Sequence, residues 1–175
     1  MDQSIQPAQS PQTIRFVLDA NVFIHAHRIY YAFDLVPCFW RVLVELAKKG
    51  LVASIDRVKD ELLKGKDALE EWAISEFDQW FLTTTTPEVV DSFGQLMEWA
   101  FGNPHYEDVA KNQFADVADS WLVAFAKAHH YVVVTLETPK NSPKKIDIPN
   151  ACNAMGVQYM NTFEMLRKLN VKLCA

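Results

Sequence analysis

Short apolar runs alternate with longer stretches of helical periodicity along most of this chain. There are five such runs, and several are rich in β-branched residues. This composition is typical of buried parallel strands that are covered on both faces. They cover residues 14–18, 51–55, 81–84, 131–136 and 157–160. The first 13 residues are polar, contain two prolines and are predicted to form a loose tail. A single domain is therefore expected over residues 14–175.

Amphipathic helices are predicted in the intervals between these strands. Helix-start and helix-stop residues support several of them, such as Gly50 after the helix that begins at Cys38 and the pair Thr86-Pro87 before the next long one. The predicted helices begin near residue 19 and cover 38–49, 56–62, 67–78, 87–100, 116–130 and 162–169. Residues 137–149 contain three prolines and several lysines and are predicted to form a long loop. Alternating strands and helices indicate an α/β fold with helices on both faces of a parallel sheet.

Acidic residues stand at the ends of the predicted strands. Asp19 directly follows the first strand, Glu61 follows the second by little more than a helical turn, and Glu137 follows the fourth. The helix before that fourth strand carries Asp116 and Asp119 near its start. Because ligands of parallel sheets bind outside the carboxyl ends of the strands, these acids are expected at one edge of the sheet.

Convergent carboxylates repel one another and remain ionised together when a cation lies between them. Oxygen ligands of this kind suit Mg²⁺ or Mn²⁺, and such ions can activate a water for phosphodiester hydrolysis. Each acid also has a simpler interpretation. Asp19 and Asp116 could cap helices, and Glu61 could be a solvated surface residue. Only their joint placement favours a metal site.

Charge and composition reduce the number of function classes that fit this chain. The formal net charge is −5, which disfavours a simple nucleic-acid-binding module but allows an enzyme whose metal ions meet phosphate. The 175 residues include three cysteines without a CxxC pair, which favours a reducing compartment. No stretch predicts a membrane span or a signal peptide. We therefore expect a soluble, cytoplasmic protein without membrane partners.

Four short motifs resemble those of PIN domains in their order and spacing. They are 19–21 (DAN), 58–62 (VKDEL), 119–126 (DSWLVAFA) and 134–137 (VTLE). Residues 16–40 and 117–121 resemble a narrower PIN-like branch whose function is not known. The resemblance spans about residues 14–173. It implies a three-layer α/β/α sandwich with strand order 3-2-1-4-5, Mg²⁺- or Mn²⁺-dependent cleavage of RNA, and a role as the toxin of a toxin–antitoxin pair that forms homodimers.

The resemblance also implies roles for individual residues. Asp19, Glu61 and Asp119 match the acids that hold the metal, and Asn21 and Thr135 match positions that support them by hydrogen bonds. Asp116 lies three residues before Asp119, so both are expected on one face of a single helix. Asp119 is then the metal ligand, and Asp116 contributes as a helix cap or through water.

Glu137 matches the fourth catalytic acid but stands where PIN domains usually have aspartate, and its extra methylene could push the carboxylate past the ion or make it act through water. The following loop carries a basic cluster that could contact RNA phosphates, consisting of Lys140, Lys144 and Lys145. Residues 144–150 resemble a segment of the narrower branch in which an acid can replace Asn150, and no catalytic role is assigned there.

The leading hypothesis is a metal-dependent endoribonuclease with an antitoxin protein as partner. Two other functions remain open. One is a catalytically silent PIN-like module that binds protein or RNA, and the other is a metal-dependent phosphatase or DNA nuclease. The chain has neither the zinc motif HExxH nor the glycine-rich motifs of nucleotide-binding proteins, which argues against those classes.

Overall fold

A computed structural model describes residues 14–173, so the predicted N-terminal tail lies outside the described residues. The described chain forms a five-stranded parallel sheet with the order β3-β2-β1-β4-β5. This confirms the expected fold class and strand order. The strands are β1 Phe16–Leu18, β2 Val52–Ile55, β3 Phe81–Leu82, β4 Val132–Val134 and β5 Tyr159–Met160. All five sequence runs contain a strand, and each strand is shorter than its apolar run.

The central strands are covered on both faces. In β1, Phe16 pairs with Val52 on one side and with Val132 on the other, and Leu18 pairs with Val134. Successive side chains of a strand point to opposite faces, yet every residue of β1, β2 and β4 is buried. The helices therefore form a layer on each face of the sheet, as an apolar strand requires.

Nine α-helices surround the sheet in the described part of the chain. They are α1 Ala20–His25, α2 Pro37–Lys48, α3 Asp56–Leu62, α4 Ala68–Ser75, α5 Pro87–Gly102, α6 Asp108–Asp116, α7 Ala118–His129, α8 Ile148–Met155 and α9 Thr162–Lys168. A π-helical turn, Ala26–Tyr30, extends α1, and a 3₁₀ turn, Asp78–Trp80, precedes β3. No helix among residues 14–173 is long and apolar enough to cross a membrane.

Two helices differ from the sequence-based prediction in ways that affect the functional site. Residues 116–130 do not form one helix, because Val117 has extended backbone angles that end α6 at Asp116 and start α7 at Ala118. The predicted loop 137–149 ends early, because α8 begins at Ile148 with a proline at its second position. The last helix, α9, is capped by Asn161 through a reciprocal capping box with Glu164.

Candidate metal centre

Asp19 is held at the carboxyl end of β1, in the middle of the sheet. Its backbone N–H donates to the carbonyl of Val134 at 3.0 Å, which continues the pairing of β1 with β4 by one residue. Its side chain is buried, and although it precedes α1 it does not cap that helix. The carboxylate instead accepts a 2.8 Å hydrogen bond from the hydroxyl of Thr135. The capping interpretation is therefore wrong for this residue.

Thr135 joins the ends of β1 and β4. Its Oγ1 donates to Asp19 Oδ2 and accepts two 3.1 Å hydrogen bonds, one from Asn21 Nδ2 and one from the backbone N–H of Glu137. Asn21 Oδ1 accepts from the backbone N–H of Leu136 at 3.0 Å. Asn21 and Thr135 thus fix the orientation of the Asp19 carboxylate through a closed set of hydrogen bonds.

Asp119 lies in the first turn of α7, close enough to Asp19 for their charges to interact. Burial, together with the negative charge of Asp119, raises the pKa of Asp19 to about 8, although the Thr135 hydrogen bond opposes this shift. Burial and the charge of Glu137 raise the pKa of Asp119 to about 6. Both shifts favour the protonated forms of these two acids in the metal-free protein.

Glu61 approaches the same place from α3. Its side chain is half-buried and is linked to the start of α7 by a hydrogen bond from the backbone N–H of Ala118. Burial raises the pKa of Glu61, and its charge contributes to the raised pKa of Asp119. The structure thus brings Asp19, Glu61 and Asp119 to one edge of the sheet.

Glu137 lies at this edge but already has two partners. Its Oε2 accepts a 2.8 Å hydrogen bond from the first amide of α8, at Ile148, and its Oε1 pairs with the ammonium group of Lys145. The side chain therefore satisfies the N-terminus of a helix that the sequence analysis missed. A glutamate side chain is longer than that of an aspartate, and here it reaches α8 while the backbone N–H of Glu137 stays hydrogen-bonded to Thr135.

Asp147 is the acid that the sequence analysis missed. It directly precedes α8, it is buried, and its negative charge acts on Asp119. Its sequence context, Asp-Ile-Pro at a helix start, is typical of an N-cap, so nothing local distinguishes it. The sequence indicated a place for Asp147 at this site only indirectly. A helix that starts soon after β4 brings its N-terminus toward the edge that carries Asp19.

Two groups of predicted site residues lie elsewhere. Asp116 is exposed at the end of α6 and does not share a helix with Asp119, so the prediction of one common helix face is wrong. Its capping role is also wrong, because Val117 occupies the N-cap position of α7. Lys140 and Lys144 are exposed on the loop, whereas Lys145 turns back to Glu137 and Asp147.

The donor chemistry of this edge suits a hard divalent cation. It consists of carboxylates, and two of them, Asp19 and Asp119, are mutually repelling groups whose ionised forms a cation would stabilise. Within residues 14–173, no three acidic, histidine or cysteine side chains are already grouped in an arrangement that could hold an ion. Glu137 does not complete such a group, because Lys145 and Ile148 engage its two oxygens.

Comparison with known proteins relates this chain to one family and to two solved structures. The model of a family described as a domain of unknown function (DUF4411) matches residues 16–173. The crystal structure of FitAcB from Neisseria gonorrhoeae is similar with 20% identity and a TM-score of 0.54, over 85% of this chain and 98% of that one. The crystal structure of VapBC2 from Rickettsia felis, bound to a DNA fragment from their promoter, has 17% identity and a TM-score of 0.48 over the same shares. No curated protein matches. The first structure supports a PIN-like fold.

Proposed function

This chain belongs to the DUF4411 family, and on that premise we propose that it is a metal-dependent endoribonuclease of the PIN class. The observation that carries the proposal is the buried carboxylate of Asp19 beside Asp119. Asp19 is buried at the carboxyl end of a central strand, where α/β folds bind ligands, and its side chain makes no capping hydrogen bond. A buried acid next to a second acid destabilises the metal-free fold, so its placement there is best explained by a cation.

The cation would be Mg²⁺ or Mn²⁺, held by Asp19 and Asp119 with Glu61 beside them. When bound, it supplies the positive charge that lowers the pKa of an attacking water and stabilises the leaving oxygen of the phosphodiester. Thr135 orients Asp19 through its 2.8 Å hydrogen bond. The backbone N–H of Ala118 orients Glu61. The exposed Lys140 and Lys144, on the loop that follows Glu137, would meet phosphates of the RNA substrate.

The resemblance to PIN domains extends the proposal to the biological role. We infer a cytoplasmic toxin of a toxin–antitoxin pair that forms a homodimer and is inhibited by an antitoxin protein. The support is the PIN-like fold shared with FitAcB and the order of the four acidic motifs.

The proposal is tested by RNA cleavage together with thermal melting. Purified protein should cleave a pool of single-stranded and structured RNA in MgCl₂ or MnCl₂ and lose this activity in EDTA. Mn²⁺ at about 100 times its Kd should stabilise the fold by about 2.7 kcal/mol, which raises Tm by roughly 5–11 °C for a domain of this size.

A matched pair of variants locates the activity. Asp119→Asn should abolish both cleavage and the Mn²⁺-induced rise in Tm, whereas Asp116→Asn should preserve both, because Asp116 lies exposed on another helix. No cleavage of any RNA, together with an unchanged Tm in millimolar Mn²⁺, would instead identify a silent binding module. Cleavage of DNA but not of RNA would identify a DNA nuclease.

A further inference from the structure

Asp147 has a buried carboxylate that the proposed metal site does not use. The side chain is 1% exposed, and neither carboxylate oxygen has a hydrogen-bond partner among the described residues. Although Asp147 occupies the N-cap position of α8, none of the helix amides donates to its side chain. A buried carboxylate without donors is costly unless a cation lies next to it. A cation next to Asp147 would offset this cost.

Lys145 supplies that cation. Its Nζ lies 3.4 Å from Asp147 Oδ1 and also pairs with Glu137 Oε1, so one ammonium group lies between two carboxylates. The lysine side chain is 52% exposed, whereas those of Glu137 and Asp147 are 19% and 1% exposed. Glu137 is fixed to the start of α8 by the Ile148 amide, and Asp147 directly precedes that helix. The Glu137 carboxylate and the backbone of Asp147 are therefore held in place independently of the lysine.

The loop that carries Lys145 is attached to the rest of the fold. The carbonyl of Pro143 accepts a 2.9 Å hydrogen bond from the backbone N–H of Glu107. The carbonyl of Lys140 accepts a 2.7 Å hydrogen bond from the side-chain amide of Asn150, which also donates to the hydroxyl of Tyr106 at 3.1 Å. These contacts hold the loop against the rest of the fold. The position of the Lys145 ammonium group is therefore fixed by hydrogen bonds on both sides of it in the sequence.

This lysine lies next to the candidate metal centre. Lys145 and Asp119 line the same small cleft, of about 60 Å³. Cations on the two sides of Asp119 would repel each other at this short range. A divalent ion at Asp19 and Asp119 thus has a monovalent ammonium group as its neighbour.

We propose that Glu137 and Asp147 form a second cation position, which the ammonium group of Lys145 occupies in place of a metal ion. The chain then binds one divalent ion, and binds a second when the lysine charge is removed. This inference rests on the proposed function in one respect: it assumes that a first divalent ion binds at Asp19 and Asp119.

The test counts bound Mn²⁺ by equilibrium dialysis at pH 7.5, with folding of each variant checked by circular dichroism. The wild-type chain should bind one ion and Lys145→Met should bind two. Lys144→Met is the matched control, because Lys144 is exposed and makes no ion pair among residues 14–173, and it should bind one. Adding Asp147→Asn to Lys145→Met should return the count to one. If the methionine variant does not fold, Lys145→Gln removes the charge while keeping a donor for Glu137.

The outcomes separate this inference from the proposed function. One ion on both wild type and the Lys145 variants overturns the second position and leaves the ribonuclease proposal intact. Two ions on the wild-type chain also overturn it, since the lysine would then not exclude a metal. No ion on the wild-type chain overturns the proposed function, and the inference with it.

Discussion

Replacing Asp19 by asparagine should remove a pH dependence from the stability of the metal-free protein. Asparagine has nearly the same size, and its carbonyl oxygen can still accept the hydrogen bond from Thr135. The substitution therefore keeps the packing at the end of β1 and removes only the titrating group. It mimics the protonated form of Asp19, which the metal-free fold favours.

The magnitude follows from the difference in pKa between the folded and unfolded states. The pKa of Asp19 is about 8 in the fold, compared with 3.8 for an ordinary aspartate. Between these values the unfolded chain has released the proton and the folded chain retains it. The stabilising effect is therefore complete below pH 3.8 and decreases as the pH rises toward 8, by about 1.4 kcal/mol per pH unit. From pH 5.5 to 7.5 the loss amounts to about 3 kcal/mol.

Urea unfolding in EDTA at pH 5.5, 6.5 and 7.5 measures this effect. The free energy of unfolding of Asp19→Asn, minus that of the wild-type chain, should increase by about 3 kcal/mol across this range. Titrating groups that do not interact with Asp19 cancel in this difference. Asp116→Asn is the control, since its carboxylate is exposed, and its difference should stay flat. A constant difference for Asp19→Asn would show that Asp19 is ionised in the metal-free fold, and would refute this account of the site.

Substitutions at three positions give independent tests. Thr135→Val should cost about 1–3 kcal/mol in urea unfolding at pH 5.5, because it leaves buried polar partners of the hydroxyl unpaired, whereas Thr135→Ser should cost less than half as much. Asp119→Asn should leave the metal-free Tm at pH 7.5 unchanged or higher, because it removes a charge that the neighbouring acids repel, and a clear drop in Tm would contradict this. Asn161→Ala should lower the free energy of unfolding by about 1 kcal/mol through loss of the capping box, and an unchanged urea midpoint would argue against that cap.

The sheet was predictable because its signal is local. Each buried strand is an apolar run that must be covered on both faces, and the intervening helices have their own periodicity and termination signals, such as Gly50 after α2. The position of Asp19 follows from the same signal, because it is the first polar residue after β1. The strand order came from the resemblance to PIN domains, and the structure confirms it.

The break between α6 and α7 was not predictable from periodicity. Helical spacing runs continuously through Asp116 and Asp119, yet Val117 is extended and places the two acids on different helices. Helix propensity is a weak preference that tertiary packing readily overrides. Here the buried Phe114 and Leu122 belong to the core from two separate helices.

The sequence by itself determined which segments are buried, how strands and helices alternate, and that acids follow the central strands. Only the tertiary structure decided that Lys145 pairs with Glu137 and Asp147, that Glu137 contacts the start of α8, and that Asp147 is buried beside them. The physical reason is the range of the interactions. Periodicity and capping depend on neighbours a few residues apart, whereas the loop before α8 is held at Pro143 by Glu107, which is distant in sequence.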